Sequence, residues 1–174
     1  MNTKEKDKAK VEELRKTNAI KSMYYTRYFM VRYVVTFFVF ANLYWGILLY
    51  LSKASATVVA PVLLGLFAAL AMWEQYRMFT IEQKEAKFSK AFFKTTIAVN
   101  SCLAIMTLAG QSASLYPFFN TSFASKMVIL SLLAAGALLA FWMLVKINRI
   151  DTNKDKQYVR INRYLESLNL SKHY

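Results

Sequence analysis

The sequence contains few of the residues that end secondary-structure elements. Four glycines and two prolines occur among 174 residues, whereas 56% of the residues are hydrophobic. A sandwich or barrel of short strands needs a turn about every 8–12 residues, which so few turn formers cannot supply. Soluble domains are only about 45–50% apolar. The composition therefore predicts long helices that are not all surrounded by water.

Cysteine and histidine are nearly absent as well. Cys102 is the only cysteine, which excludes an intramolecular disulfide and suggests no cysteine metal site. His173 is the only histidine and lies beside the C-terminus, so a histidine-based triad is not available. The motifs of phosphate loops and zinc proteases do not occur. We expect no catalytic residue, no cofactor, no metal and no enzymatic activity.

Charge is missing from four long stretches of the chain. Each of them has 16–20 residues without Asp, Glu, Lys or Arg, and a helix needs about 20 residues to cross a hydrocarbon core. The shortest can be lengthened at its start, because Lys94 can extend its ammonium group to the headgroups. We predict an all-α, integral membrane four-helix bundle within 33–145. Its spans are expected at about 33–51, 54–73, 93–111 and 127–145.

Acidic residues are scarce beside basic ones, at 10 against 23. Of the 23 basic residues, 21 lie in 1–32, 74–94 and 146–174, which four spans place on one side. The positive-inside rule makes that side cytoplasmic. We therefore predict a cell-membrane protein with both termini inside, a charged leader and juxtamembrane collar at 1–32, and a helical tail at 146–174. Its expected partner is a bilayer with an anionic inner leaflet; topology accounts for the charge, so no nucleic acid is expected.

Aromatic and arginine side chains flank the spans at this cytoplasmic level. Such rings favour headgroup depth, and each arginine near an anionic surface contributes about 1 kcal/mol. Arginine among aromatics is also found where nucleic-acid bases stack, but the position just before the first span favours a membrane anchor. The predicted interface anchors are Tyr24, Tyr25, Arg27, Tyr28, Arg32, Tyr33, Trp73 and Trp142.

Uncharged polar residues lie within the spans, at Asn42, Thr96, Asn100 and Thr107. The last three share roughly one helical face, and the two asparagines lie at similar depth. We expect hydrogen bonds between helices, worth about 0.6–2 kcal/mol each. The alternative is the polar lining of a substrate path.

Small residues recur at helical spacing in the second and fourth spans. Small side chains let helices approach closely in lipid. We expect packing within one chain, and a homo-oligomer interface is the alternative. The residues are Gly65, Ala69, Ala135, Gly136 and Ala140.

The cytoplasmic segments carry weaker patterns. The leader, residues 1–22, is expected to be disordered or a solvated helix, and Glu74 is expected to be a solvated helix end. In the tail, Thr152 and Asp155 have the spacing of a capping box. An apolar stripe follows, which can pack on the connection 74–94, on the membrane or on a partner.

Three short motifs allow further interpretations. Pro61 in the second span predicts either a later helix start or a kink. Ala54-Ser55-Ala56 resembles a signal-peptidase site, but a 19-residue apolar run is too long for a signal peptide. Asn120-Thr121-Ser122 fits a glycosylation sequon that only a eukaryotic lumenal setting would use.

These features favour a non-catalytic multi-pass membrane protein. It would be an accessory subunit, scaffold or immunity-type factor that acts through contacts with other membrane proteins. The alternative is a small oligomeric transporter or pore-forming subunit. The four-span layout resembles that of the small multidrug-resistance exporters, which rely on a glutamate in the first span. This chain has Asn42 there, so the alternative would work without an intramembrane carboxylate.

Overall fold

The computed structural model describes residues 3–53, 57–79, 85–120 and 122–171, and this part of the chain is helical and contains no strand. A π-helical turn, Thr107–Gln111, follows the fourth helix. The α-helices are α1 Thr3–Arg27, α2 Phe29–Leu51, α3 Val59–Tyr76, α4 Lys87–Met106, α5 Ser112–Leu115, α6 Phe123–Asp151 and α7 Lys156–Ser171.

Within the described residues, four helices are long and apolar enough to cross a membrane, which confirms that part of the prediction. They are α2, α3, α6 and the stretch Lys87–Leu115, which is kinked at Gly110, where φ is +93°. Each of these helices continues past its charge-free stretch at one end at least, into charged and aromatic residues. Helix α3 begins only at Val59, which places Pro61 in its first turn. Proline is tolerated there because its missing N–H has no partner within the helix. The later-start interpretation of Pro61 is therefore the correct one.

The four apolar helices do not pack equally on one another. Helix α4 packs most extensively on α6, and α2 packs on α3, while α2 and α6 contact each other far less. Aromatic rings fill the core between α2 and α4. The ring centroids of Phe38 and Phe92 are 5.8 Å apart, and those of Phe92 and Phe93 are 5.3 Å apart. The sparse contact between α2 and α6 leaves a seam in the bundle.

The leader is helical, so the disordered alternative is wrong. Helix α1 runs into α2 with only Tyr28 between them, and α1 packs against α7. Ile161 on α7 is buried. The tail therefore packs on the leader, which none of our three alternatives included. We call the side of the bundle that carries α1 and α7 the basic end, and the opposite side, with α5 and residues 116–120, the distal end.

The turn between α6 and α7 has a defined hydrogen-bond pattern. Asn153 has a φ of +56°, and its N–H donates to the Ile150 carbonyl at 3.0 Å. The N–H of Lys154 donates to the Arg149 carbonyl at 2.9 Å, which completes a Schellman motif. Asp155 then caps α7 by accepting from the Tyr158 N–H at 3.3 Å. The predicted Thr152–Asp155 capping box is wrong, because Thr152 lies at the end of α6.

Candidate functional site

A cavity of about 510 Å³ lies along the seam between α2 and α6. Helix α4 also contributes to its lining, and the aromatic loop after α5 closes it towards the distal end. The lining is mostly apolar and contains no Asp, Glu, Lys, Arg or His. The rings gathered at its distal part are Tyr44, Trp45, Tyr116, Phe118 and Phe119.

Three of the four predicted intramembrane polar residues line this cavity: Asn42, Thr96 and Asn100. The Asn100 amide donates to the Leu133 carbonyl of α6 at 3.4 Å, as predicted for a bond between helices. The Asn42 amide and the Thr96 hydroxyl instead donate to carbonyls one turn back in their own helices, at 2.8 and 2.9 Å. Thr107 does the same at 2.7 Å, outside the cavity lining. The prediction of interhelical bonds is wrong for these three, because the carbonyl at i−4 is the nearer acceptor.

Two polar atoms at the distal part of the cavity are buried without a partner, Trp45 Nε1 and Tyr116 Oη. The two rings stack, with centroids 5.9 Å apart and an interplanar angle of 25°. Burial raises the pKa of Tyr116 to about 12. A buried donor without an acceptor costs roughly 1–3 kcal/mol. Both atoms are enclosed by the described chain, so they add no accessible donor to the apolar lining.

The predicted small residues fall into different environments. A Cβ added to Gly136 would lie 2.7 Å from Asn100 Nδ2, so the glycine permits the close approach of α4 and α6 there. A Cβ on Gly65 would meet only Asn42 Cβ, at 3.8 Å. Ala140 is fully buried. Ala69 and Ala135 are exposed, and Ala135 also lines the cavity, so neither is enclosed between helices.

At the basic end, the buried side chain of Arg27 joins α1 to the turn between α6 and α7. Its Nε donates to Asp155 Oδ2 at 3.1 Å, and its Nη2 forms an ion pair with Asp155 Oδ1. The same Nη2 donates to the Ile150 carbonyl at 2.7 Å and to Asn153 Oδ1 at 2.9 Å. The guanidinium also lies over the Tyr158 ring, 5.3 Å from its centroid. We call these five residues the Arg27 latch.

A second polar group lies beside the latch, around Asp151. The Tyr28 hydroxyl donates to Asp151 Oδ1 at 3.3 Å, and Lys90 of α4 forms an ion pair with the same carboxylate. Burial, together with the charge of Asp151, raises the pKa of Tyr28 above its usual value. Asp151 thus connects the start of α2 and the start of α4 to the end of α6.

The prediction that Glu74 is a solvated helix end is wrong. Its carboxylate accepts from the backbone N–H groups of Phe88 and Ser89, both at 2.8 Å, and from the Ser89 hydroxyl at 2.9 Å. The Ser89 hydroxyl in turn accepts from Gln75 Nε2 at 2.8 Å. Glu74 therefore caps the N-terminus of α4, where a negative charge is favourable.

The predicted interface anchors divide into exposed and enclosed residues. Tyr33, Trp73 and Trp142 are 60, 63 and 55% exposed, so their anchor role stays a prediction. Tyr24, Tyr25 and Arg32 are half-buried, with the Arg32 Cζ 3.5 Å from the centroid of the Tyr25 ring. The prediction is wrong for Arg27 and Tyr28. Both side chains are buried. Arg27 contacts Asp155, in the turn after α6, and Tyr28 contacts Asp151, the last residue of α6.

The predicted site residues did not include Trp45, Tyr116 as a donor, Lys90 or Asp151. Only Asp151 stands out in the sequence, as one of three acids in the otherwise basic tail 146–174. Cys102 is exposed. His173, Thr121 and Ala54-Ser55-Ala56 lie outside the described residues.

Comparison of the chain with protein-family models, curated proteins and solved structures gives no match.

Proposed function

We propose that the chain is a multi-pass protein of the cell membrane, with α2, α3, Lys87–Leu115 and α6 as its spans and both termini in the cytoplasm. The contacts of Arg27 with Asp155 and of Lys90 with Asp151 support this, because they bring the three basic segments to one end of the bundle. Concentrated basic residues favour the cytoplasmic side and an anionic inner leaflet.

Cysteine labelling in intact cells tests the orientation. In a Cys102→Ser background, Asn120→Cys at the distal end should react with a membrane-impermeant maleimide. Lys154→Cys at the basic end should react only after the cells are permeabilised. Both positions are exposed, so accessibility within the fold does not separate them. Labelling of Lys154→Cys in intact cells would contradict the proposed orientation.

We further propose that the protein is a non-catalytic accessory subunit, scaffold or immunity-type factor that acts through contacts with other membrane proteins. The Arg27 latch is the observation that carries this proposal. It fixes α7 against α1 and both against the spans, so two charged helices keep a defined position at the basic end. A partner can dock on such a surface without first ordering it, which lowers the entropic cost of binding.

Purification of the full chain in a mild detergent tests this role. A membrane-protein partner should copurify in a fixed ratio, and the amount should fall in Arg27→Met, where α7 is no longer held in place. The purified chain in liposomes should move no solute. A homogeneous homo-oligomer that has no partner and transports solute would overturn the proposal.

The alternative is a small oligomeric transporter or pore-forming subunit, and the cavity favours it. Asn42 and Asn100 place two amides in the mostly apolar cavity between α2 and α6. If the cavity conducts a solute, Asn42→Leu combined with Asn100→Leu should abolish solute flux in liposomes. Thermal stability should change little, because Asn42 bonds to its own helix and Asn100 gives up only one long hydrogen bond, to the Leu133 carbonyl. A fall in stability with unchanged flux would show that the amides have a structural role.

A further inference from the structure

We propose that residues 112–120 form a lid over the distal end of the cavity between α2 and α6. The lid opens about a hinge at Gly110, and its opening separates the ring of Tyr116 from that of Trp45. The open lid connects the cavity with the medium beyond the distal end. This inference is independent of the accessory role and of the side of the membrane that the distal end faces.

The lid covers the cavity with aromatic side chains. Tyr116, Phe118 and Phe119 line the cavity at its distal part. Leu115 and Tyr116 are 8 and 7% exposed, and they belong to an apolar cluster that is separate from the main core of the bundle. The Tyr116 ring also stacks on Trp45 of α2. Packing of apolar and aromatic groups therefore keeps the lid closed.

Polar contacts do not fasten the lid to the neighbouring helices. Within the described residues, no hydrogen bond or ion pair joins 112–120 to α2, α3 or α6. The N–H of Tyr116 donates to the Ser112 carbonyl, and the N–H of Phe119 donates to the Tyr116 carbonyl, both at 2.9 Å, so these bonds stay within the lid. Segments open locally where few hydrogen bonds must be broken. The lid can therefore move as a unit while the bundle stays folded.

The closed lid leaves two donors unpaired, and opening pairs them with water. Tyr116 Oη lies on the lid and Trp45 Nε1 on α2, and both are buried without an acceptor in the described chain. A buried donor without an acceptor loses its hydration and gains nothing in return. Separation of the two rings exposes both atoms to water, which restores that hydration. The open and closed states are therefore closer in free energy than they would be if both donors were paired in the closed state.

The chain has a hinge directly before the lid. The π-helical turn Thr107–Gln111 ends the regular hydrogen bonding of α4, and within it Gly110 has a φ of +93°. Glycine takes positive and negative φ values with similar ease, which other residues do not. No atom lies within 4 Å of the position that a Cβ of Gly110 would occupy, so no neighbouring side chain holds this residue in place. Rotation at Gly110 redirects the lid and leaves α4 unchanged.

Hydrogen exchange of the Trp45 indole N–H in the full chain tests the proposal, because this buried N–H meets water only when the lid opens. In a Trp73→Phe/Trp142→Phe background, Trp45 is the only tryptophan, so NMR identifies its indole signal directly. We expect a protection factor at least about tenfold lower than that of the best protected amides of α4 and α6, as for local opening. Protection equal to that of those amides would show that only global unfolding exposes the N–H, which would overturn the proposal.

Two variants should shift the opening in opposite directions. Tyr116→Phe removes a donor that only the open lid hydrates, so exchange of the Trp45 N–H should slow by about fivefold. Gly110→Ala places a Cβ at a positive φ and should speed the exchange by at least about fivefold. Gly65→Ala is the control, since its Cβ makes only an ordinary contact, and should change nothing. Exchange that Tyr116→Phe leaves unchanged would overturn the proposal, even if Gly110→Ala fails to fold.

Cysteine reactivity measures the same motion on the lid itself. In a Cys102→Ser background, Ser112→Cys places a thiol at a buried position of α5, and Ser114→Cys places one at an exposed position of the same helix. A water-soluble maleimide should label Ser114→Cys at once and Ser112→Cys more slowly. Tyr116→Phe should slow only the labelling of Ser112→Cys, by the same factor as the indole exchange. Equal labelling rates at the two positions would show that the lid is not closed, which would also overturn the proposal.

Discussion

Arg27 at the basic end and the stacked Trp45–Tyr116 pair towards the distal end differ in how their buried polar atoms are paired. At the basic end, the enclosed guanidinium of Arg27 bonds to a carboxylate, a side-chain amide and a backbone carbonyl of the same chain. Towards the distal end, Trp45 Nε1 and Tyr116 Oη have no acceptor in the described chain. Nearly all buried polar groups in folded proteins are paired, and each exception calls for an explanation. The contacts of Arg27 therefore hold α1, α6 and α7 together, whereas the ring pair contributes stacking and no hydrogen bond from these two atoms.

The largest expected effect comes from opening the latch. Arg27→Met leaves Asp155, Asn153 and the Ile150 carbonyl without their cation, so the docking of α7 should lose about 3–5 kcal/mol. Amide hydrogen exchange across 156–171 measures this free energy of opening. Arg15→Met is the matched control. It removes an exposed arginine of α1 and should change the exchange by no more than about 0.5 kcal/mol.

A double variant separates the ion pair from the packing around it. Arg27→Met with Asp155→Leu removes both charges, so no uncompensated carboxylate remains. Its cost should be smaller than that of Arg27→Met alone, because most of the single-variant cost is an unpaired buried charge. Additive losses would contradict direct coupling between these two residues.

The next-largest loss of stability should come from enlarging Gly136 in the cavity lining. Gly136→Ala brings a methyl group against the Asn100 amide and should cost about 1–3 kcal/mol, as overpacking generally does. Gly65→Ala is the comparison, because its Cβ would make only an ordinary contact with Asn42. Thermal unfolding in detergent measures both. Equal melting temperatures for the two variants would contradict the close approach of α4 and α6 at Gly136.

A smaller loss should follow from removing the cap of α4. Glu74→Ala takes an acceptor from two backbone N–H groups and from the Ser89 hydroxyl, so we expect a loss of about 0.5–2 kcal/mol. Glu85→Ala removes an exposed carboxylate next to the same helix and should have almost no effect. Chemical unfolding followed by circular dichroism compares the two. If Glu85→Ala is as destabilising as Glu74→Ala, general charge rather than capping is responsible.

The smallest effect at neutral pH should come from Tyr116→Phe, since its hydroxyl has no partner to lose. The variant should be as stable as the wild type or slightly more stable. Burial raises the pKa of Tyr116 from about 10 when unfolded to about 12. The unfolded chain therefore releases the phenol proton first, and the stability of the wild type falls as the pH rises from 10 to 12. Tyr116→Phe should therefore lose less stability over that interval. A clear loss of stability at neutral pH would show that the hydroxyl is already paired.

The sequence predicted the apolar helices, because each of them depends only on the composition of a stretch about one helix long. Four charge-free stretches are sufficient for four apolar helices, because hydropathy and length are local properties. The partners of Arg27 were not predictable in this way. Asp155 is 128 residues away, and an arginine before an apolar helix has the same local pattern whether it faces headgroups or an acid.

The cavity was predictable only in part. Asn42 and Asn100 were recognised as polar groups at one depth, and the structure places both on the same cavity. Their hydrogen bonds differ, because Asn42 has a carbonyl of its own helix within reach. The unpaired state of Trp45 and Tyr116 depends on which acceptors the folded chain brings near them, and no local pattern contains that information.

The sequence distance across the latch has a consequence for the order of assembly. Arg27 is synthesised 128 residues before Asp155, an interval of roughly 6–26 s at a synthesis rate of about 5–20 residues/s. Until α6 and the turn after it exist, Arg27 has none of these partners. The latch can therefore close only on a chain whose four apolar helices have all been made, and a truncated chain that ends before residue 150 leaves it open.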